Sequence, residues 1–189
     1  MNRRRFVVGS LGVGALTVGG PLLASASAAT EDEIAFANFG ASTEFLLKDF
    51  YTKALEAKVV SRAQAATLKR GRSAAGQHVK ALSELLVGAG DVAPVEEDFG
   101  FQWPENTFRD EEEIVATGIV ILRALLGAYQ TAGASVSDPT YRVLYASLAA
   151  SVSQQLGALA ARAERDTIEP FPVALDLEAA TAAVEAYLG

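Results

Sequence analysis

The sequence contains no cysteine and only one histidine, His78, among its 189 residues. Without cysteine there can be no disulfide, thiolate metal site, c-type haem attachment, cysteine nucleophile or lipid-modified cysteine. With a single histidine and no Gly-x-Ser-x-Gly motif, no base is placed to activate a nucleophile, so a hydrolase is not expected. These absences remove several common classes of enzyme.

Positive charge is also scarce. The chain has 16 Lys and Arg residues against 23 Asp and Glu residues, which gives a net charge of -7. An anionic surface does not attract nucleic acid or anionic lipid, so neither is expected as a partner. Half of the residues are apolar and only 21% are charged, as is typical of a globular chain with one core.

The N-terminus has the features of an export signal. A basic start is followed by a mildly apolar, glycine-containing stretch and then by small residues. Arg3, Arg4 and Phe6 match the twin-arginine motif, although Asn2 and the two valines after Phe6 depart from its usual pattern. The sequence therefore predicts export by the twin-arginine route.

We expect residues 1–28 to be the signal peptide and residues 29–189 to form the mature domain, with a cut after Ala26 as the alternative. Cleavage would change the net charge to -10, because 13 basic and 23 acidic residues remain. A retained membrane anchor is the other reading, but the apolar run is short, rich in glycine and broken by Pro21. The mature protein is expected in the periplasm, in the cell envelope or outside the cell.

Apolar residues at helical spacing predict four long helices and a short fifth. Thr30 with Glu33, and Asp110 with Glu113, have the spacing of capping boxes. No segment alternates with a period of two, so strands are not expected. The predicted ranges are 30–55, 61–87, 111–132, 141–165 and 177–187.

The segment between the second and third helices is long and rich in aromatic residues. We expect it to pack its rings over one end of a bundle and to let these two helices run parallel. The centre of helix 3 is apolar enough to resemble a membrane span, but Arg123 interrupts it, which favours a buried core helix. The prediction is an all-α four-helix bundle with a long crossover between helices 2 and 3.

Three stretches, ANFGASTEFLLKDFYTKAL, QHVKALSELL and EPFPVALDLEAATAAVEAYL, resemble the ferritin-like domain family that includes desiccation-related proteins. In that family an Asn precedes a Glu that is followed by a Phe-Tyr pair, here Asn38, Glu44, Phe50 and Tyr51. The resemblance spans nearly all of the chain after the signal. It implies a ferritin-like bundle with a di-metal site, built from one carboxylate on each of two helices and a Glu-x-x-His pair on each of the others.

Few of these metal ligands are present. The helix 2 pair reads Ala75-x-x-His78 and the helix 4 pair reads Val152-x-x-Gln155, while the inward face of helix 3 carries no acid. Glu44 and His78 are therefore remnant metal-ligand positions, with Gln155 as a neighbour. One carboxylate and one neutral imidazole would leave most of the charge of two divalent ions uncompensated.

Simpler roles explain the two remnant residues. Glu44 lies at the edge of its apolar stripe, four residues before Lys48, and can form an ion pair with it. His78 lies within the apolar stripe of helix 2 and is expected to be buried, neutral and hydrogen-bonded to Gln155. Ser42 is expected on the polar side of helix 1.

We expect no cofactor, and we expect a non-enzymatic exported protein with a scaffold, assembly or stress-related role in the envelope. A homo-oligomer is the expected form of partner, without membrane insertion after signal cleavage. The alternative is a ferritin-like iron-binding protein or a di-metal oxidoreductase holding iron or another divalent metal. The family resemblance favours this alternative, and so does the twin-arginine route, which often carries cofactor-loaded proteins.

Overall fold

The computed structural model describes residues 29–161 and 172–188. The predicted signal peptide and the end of predicted helix 4 lie outside these residues. The described residues contain no β-strand, only an isolated bridge between Phe101 and Leu188. They form five α-helices: α1 (Glu31–Glu56), α2 (Arg62–Gly88), α3 (Glu111–Ser135), α4 (Pro139–Ala160) and α5 (Leu177–Val184).

The first capping box forms as predicted. Thr30 Oγ1 accepts a hydrogen bond from the backbone N–H of Glu33, and Glu33 Oε2 accepts one from the N–H of Thr30. At α3, Asp110 accepts from the N–H of Glu113 at 2.9 Å, but the Glu113 side chain accepts from Arg109 at 3.1 Å instead of returning to the cap. The second predicted box is therefore wrong in its reciprocal half, because a cation competes for that carboxylate.

Glu33 also joins α1 to the turn between α3 and α4. Its Oε1 accepts from the N–H of Ser137 at 2.9 Å, and its backbone carbonyl accepts from the Tyr145 hydroxyl at 3.2 Å. Burial raises the pKa of Glu33, but hydrogen bonds from the N–H groups of Thr30, Ser137 and Asp138 outweigh it and leave the pKa lowered. The carboxylate form of Glu33 is thus favoured by the fold.

The helices α1 and α2 are antiparallel. Near the middle of α1, Glu44 contacts His78, and two turns further along α1 Tyr51 lies against Gly71. Residue numbers rise along α1 as they fall along α2. The turn that joins α1 to α2 is short, as is usual between antiparallel neighbours in a bundle.

The helices α2 and α3 run parallel, as the long crossover predicts. Phe50 of α1 lies beside Gly118 of α3, and Gly40 lies beside Tyr129, so α3 is also antiparallel to α1. Since α2 and α3 both oppose α1, they share a direction. The two helices start at the same end of the bundle.

The crossover runs along α1 instead of covering one end of the bundle, so that prediction is wrong. Phe99 contacts Phe45 at a ring-centroid distance of 5.7 Å, and Trp103 and Phe108 contact Phe50 at 5.7 and 5.9 Å. A connection between parallel helices must return from the end of one to the start of the other, and each helix is about 40 Å long. The aromatic rings are therefore spread along the side of α1.

The crossover along α1 also explains why Ser42 differs from its prediction. Ser42 is buried, with 6% of its surface exposed, although it was expected on the polar side. Almost every residue from Phe36 to Leu47 is buried, because α1 is enclosed by α2, α3 and the crossover. Ser42 Oγ donates instead to the carbonyl of Asn38 at 2.8 Å.

Among the described residues, α3 is the one helix that is long and apolar enough to cross a membrane. In this fold, however, 67% of its most apolar window is buried inside the protein, as predicted for a core helix. The core-facing residues of α3, such as Ile114, Ile121 and Leu125, are buried, whereas Arg123 is exposed. The short helix α5 packs mainly against α3.

Candidate functional site

A buried carboxylate, Glu44, lies at the centre of the bundle with none of its surface exposed. Its Oε1 atom accepts a hydrogen bond from the Tyr129 hydroxyl at 3.0 Å. The same atom lies 2.8 Å from Nδ1 of His78, which donates when the proton is on Nδ1. One oxygen thus joins α1, α2 and α3.

A second contact brings in α4. The hydroxyl of Tyr51, seven residues after Glu44, donates to Oε1 of Gln155 at 3.0 Å. The Tyr51 ring reaches this position by passing over Gly71, where an added Cβ would lie only 2.6 Å from the ring. We call the five side chains that join all four long helices the polar layer: Glu44, Tyr51, His78, Tyr129 and Gln155.

Both tyrosines of the polar layer are held in the neutral form. Burial raises the pKa of Tyr129 far above its usual value, and the charge of Glu44 and the hydrogen bond to it act in the same direction. Burial, followed by the charge of Glu44, likewise raises the pKa of Tyr51. Both hydroxyls therefore remain hydrogen-bond donors at ordinary pH.

Two atoms of the polar layer are buried without a hydrogen-bond partner. They are Oε2 of Glu44 and Nε2 of Gln155. Each belongs to a group whose other polar atom is already engaged, since Glu44 Oε1 accepts from Tyr129 and Gln155 Oε1 accepts from Tyr51. The layer thus has one unused acceptor and one unused donor.

The structure confirms one expectation for the remnant ligand residues and corrects two. His78 is buried, as predicted, but its partner is Glu44 and not Gln155. Glu44 is fully buried and does not pair with Lys48, which forms an ion pair with Glu96 of the crossover. A desolvated carboxylate needs donors inside the core, and His78 supplies one. The neutral state of His78 stays a prediction.

The two positions at which the Glu of a Glu-x-x-His pair was expected are filled by apolar side chains. Ala75 and Val152 are both fully buried. In the part of the chain that the structure describes, no three His, Cys, Asp or Glu side chains lie close enough to hold a metal ion. Glu44 and His78 are the two such groups that the fold brings together in the polar layer.

The roles of Tyr51 and Tyr129 were not predicted from the sequence. Tyr51 was named only through the family resemblance, and no role was predicted for Tyr129, although helical spacing places it on the inward face of helix 3. A buried tyrosine hydroxyl nearly always has a hydrogen-bond partner, so an inward tyrosine was itself a signal of a polar group in the core.

The model of the ferritin-like domain family matches residues 32–164. No curated protein and no solved structure matches the chain significantly. The family match covers well over half of the 189 residues and includes all five members of the polar layer. This chain belongs to the ferritin-like domain family.

Proposed function

We propose that this protein is an exported, non-catalytic ferritin-like bundle whose core holds a hydrogen-bonded polar layer in place of a di-metal centre. We propose a scaffold, assembly or stress-related role in the cell envelope. The observation that supports the proposal is that His78 and Tyr129 both contact Oε1 of Glu44, the one carboxylate in the layer.

The residues present do not fit two divalent ions. A ferritin-like di-metal site uses four carboxylates and two imidazoles. Here the layer offers one carboxylate, Glu44, and one imidazole, His78. Two buried divalent ions would retain most of their charge, which is strongly unfavourable in a core.

The contacts of the two remnant residues give a second argument. The Nδ1 atom of His78 and the hydroxyl of Tyr129 both lie at Glu44 Oε1, so this oxygen is already engaged by protein groups. Ala75 and Val152 fill their positions with apolar groups that cannot coordinate a metal. Stability should then come from packing and hydrogen bonds, without a contribution from metal.

Metal loading tests this proposal. The full-length chain is incubated anaerobically with ferrous iron and desalted, and its iron content and melting temperature are measured with and without chelator. We expect substoichiometric iron and an unchanged melting temperature. Retention of about two irons per chain, the number in a di-metal site, or a large fall of the melting temperature in chelator, would support the oxidoreductase alternative instead.

A second variant tests whether the missing carboxylates explain the expected lack of metal. Ala75→Glu places a carboxylate three residues before His78 and restores the Glu-x-x-His spacing, in which both side chains share one helical face. If the layer lacks metal because it lacks carboxylates, this variant should retain more iron than the unmodified chain. Equal retention by both proteins would count against the ligand argument.

Export is tested separately. The support for it is the sequence motif alone, because residues 1–28 lie outside the described residues. Replacing Arg3 and Arg4 with lysine should leave uncleaved precursor inside the cell. Arg5→Lys, which keeps the pair, is the matched control and should be exported normally. Unchanged export of the double variant would argue against the twin-arginine route.

A further inference from the structure

The two unpartnered atoms of the polar layer have opposite hydrogen-bonding needs. Oε2 of Glu44 is an acceptor, and Nε2 of Gln155 is a donor. A buried polar atom without a partner costs roughly 1–3 kcal/mol, and most such atoms in folded proteins are satisfied by protein or by ordered water. A ligand that meets both needs would remove both costs.

Chemistry restricts the class of that ligand. A metal cation could bind Glu44 Oε2 but cannot accept a hydrogen bond from Gln155 Nε2. A halide could accept from the amide but would be repelled by the carboxylate. Water both donates and accepts, and internal waters commonly bridge buried polar groups in this way.

Tyr51 lies two turns after Glu44 on the same face of α1 and joins Gln155 to that face. Its hydroxyl is hydrogen-bonded to the Gln155 amide, and the charge of Glu44 acts on the same hydroxyl and helps to raise the pKa of Tyr51. On α2, the buried residue Ala75 has a small side chain one turn from His78, whereas the space beside Gly71 is taken by the Tyr51 ring. Buried polar atoms without a protein partner are the groups that internal water usually binds.

We infer that the polar layer binds internal water that donates to Glu44 Oε2 and, directly or through a second water, accepts from Gln155 Nε2. This inference rests on the proposed function, because a metal ion on Oε2 would take the place of the water. The water completes the hydrogen bonding of the layer without adding charge to the core.

A crystal structure of the full-length protein at high resolution, with anomalous data, tests the inference. We expect a peak without anomalous signal at a hydrogen-bonding distance of about 2.6–3.2 Å from Oε2, with a path of at most two waters to Nε2. Density with no such peak would overturn the water site and leave the metal-free proposal standing. An anomalous scatterer at about 2.0–2.2 Å, a metal–carboxylate distance, would overturn both.

A variant pair tests the link to Gln155. Gln155→Leu removes the donor, and the water next to it should disappear from the map. Gln154→Leu is the matched control, since Gln154 is the exposed neighbour on α4 and its loss should leave the water in place. Water that persists at the same position in Gln155→Leu would show that the amide is not part of the site.

Discussion

Replacing His78 with leucine is the most direct test of the polar layer. The change leaves Glu44 fully buried, with the Tyr129 hydroxyl as the remaining donor to Oε1. The loss of a hydrogen bond from the expected neutral imidazole to a buried carboxylate should cost about 1.5–3 kcal/mol. For a chain of this size 1 kcal/mol corresponds to about 2–4 °C, so we expect the melting temperature to fall by roughly 3–12 °C.

The assay is thermal and urea unfolding of the full-length chain, followed by circular dichroism. Gln77→Leu is the matched control, because Gln77 is the exposed neighbour of His78 and its replacement should change stability by less than about 0.5 kcal/mol. A cost below about 1 kcal/mol for His78→Leu would refute the view that the imidazole stabilises the buried carboxylate.

A triple variant separates the loss of a partner from the loss of the layer. Glu44→Leu, His78→Leu and Tyr129→Phe together replace every group at the carboxylate with an apolar one of similar size. Replacing all partners of a buried hydrogen-bonded group with apolar groups of similar shape is often neutral or stabilising. The triple variant should therefore be more stable than His78→Leu alone, and a lower stability would contradict this account.

Three further predictions concern the backbone and the charges. Gly71→Ala should cost about 1–3 kcal/mol in urea unfolding, since its Cβ would lie 2.6 Å from the Tyr51 ring, whereas Gly76→Ala, with open space around it, should not destabilise. Lys58 has a positive φ of 57°, a backbone conformation that is strained for a residue with a side chain. Lys58→Gly should therefore stabilise the protein by about 1 kcal/mol and raise its melting temperature; an unchanged melting temperature would contradict the strain. The pKa of Glu33 is lowered on folding, so its stabilisation is present above the unfolded value of 4.5 and is lost as the pH falls below it. Glu33→Gln should thus lose less stability between neutral pH and pH 3 than the unmodified chain, as measured by urea unfolding at each pH; an equal loss would assign the acid sensitivity to other groups.

The helices were predictable because their signals are local. The capping residue Thr30 and the apolar stripes depend only on neighbours within a few turns, and the start of α1 follows from them. The path of the crossover was not predictable in the same way. Its aromatic residues contact Phe45 and Phe50 at sequence separations of about 50 residues, which no local pattern encodes.

Three members of the site, Glu44, His78 and Gln155, were predicted from the sequence, but the contacts between the site residues were not. Helical spacing places His78 on the inward face, and the structure confirms this position. Spacing cannot say which side chain on another helix reaches it, because that choice depends on the rotation and depth of both helices. Glu44 was predicted at the edge of the apolar stripe of helix 1. Because α1 is enclosed on several sides, that edge is part of the core.

The number of donors in the layer explains why it holds a single carboxylate. Oε1 of Glu44 is engaged by a tyrosine and a histidine, and the Tyr51 hydroxyl is already engaged by Gln155. A second carboxylate at position 75 would be repelled by Glu44, and the one unused protein donor in the layer is Nε2 of Gln155. Without metal, apolar residues such as Ala75 and Val152 are therefore more stable than carboxylates at these two buried positions. The proposed water at Glu44 Oε2 supplies the donor that this oxygen lacks, and it adds no charge to the core.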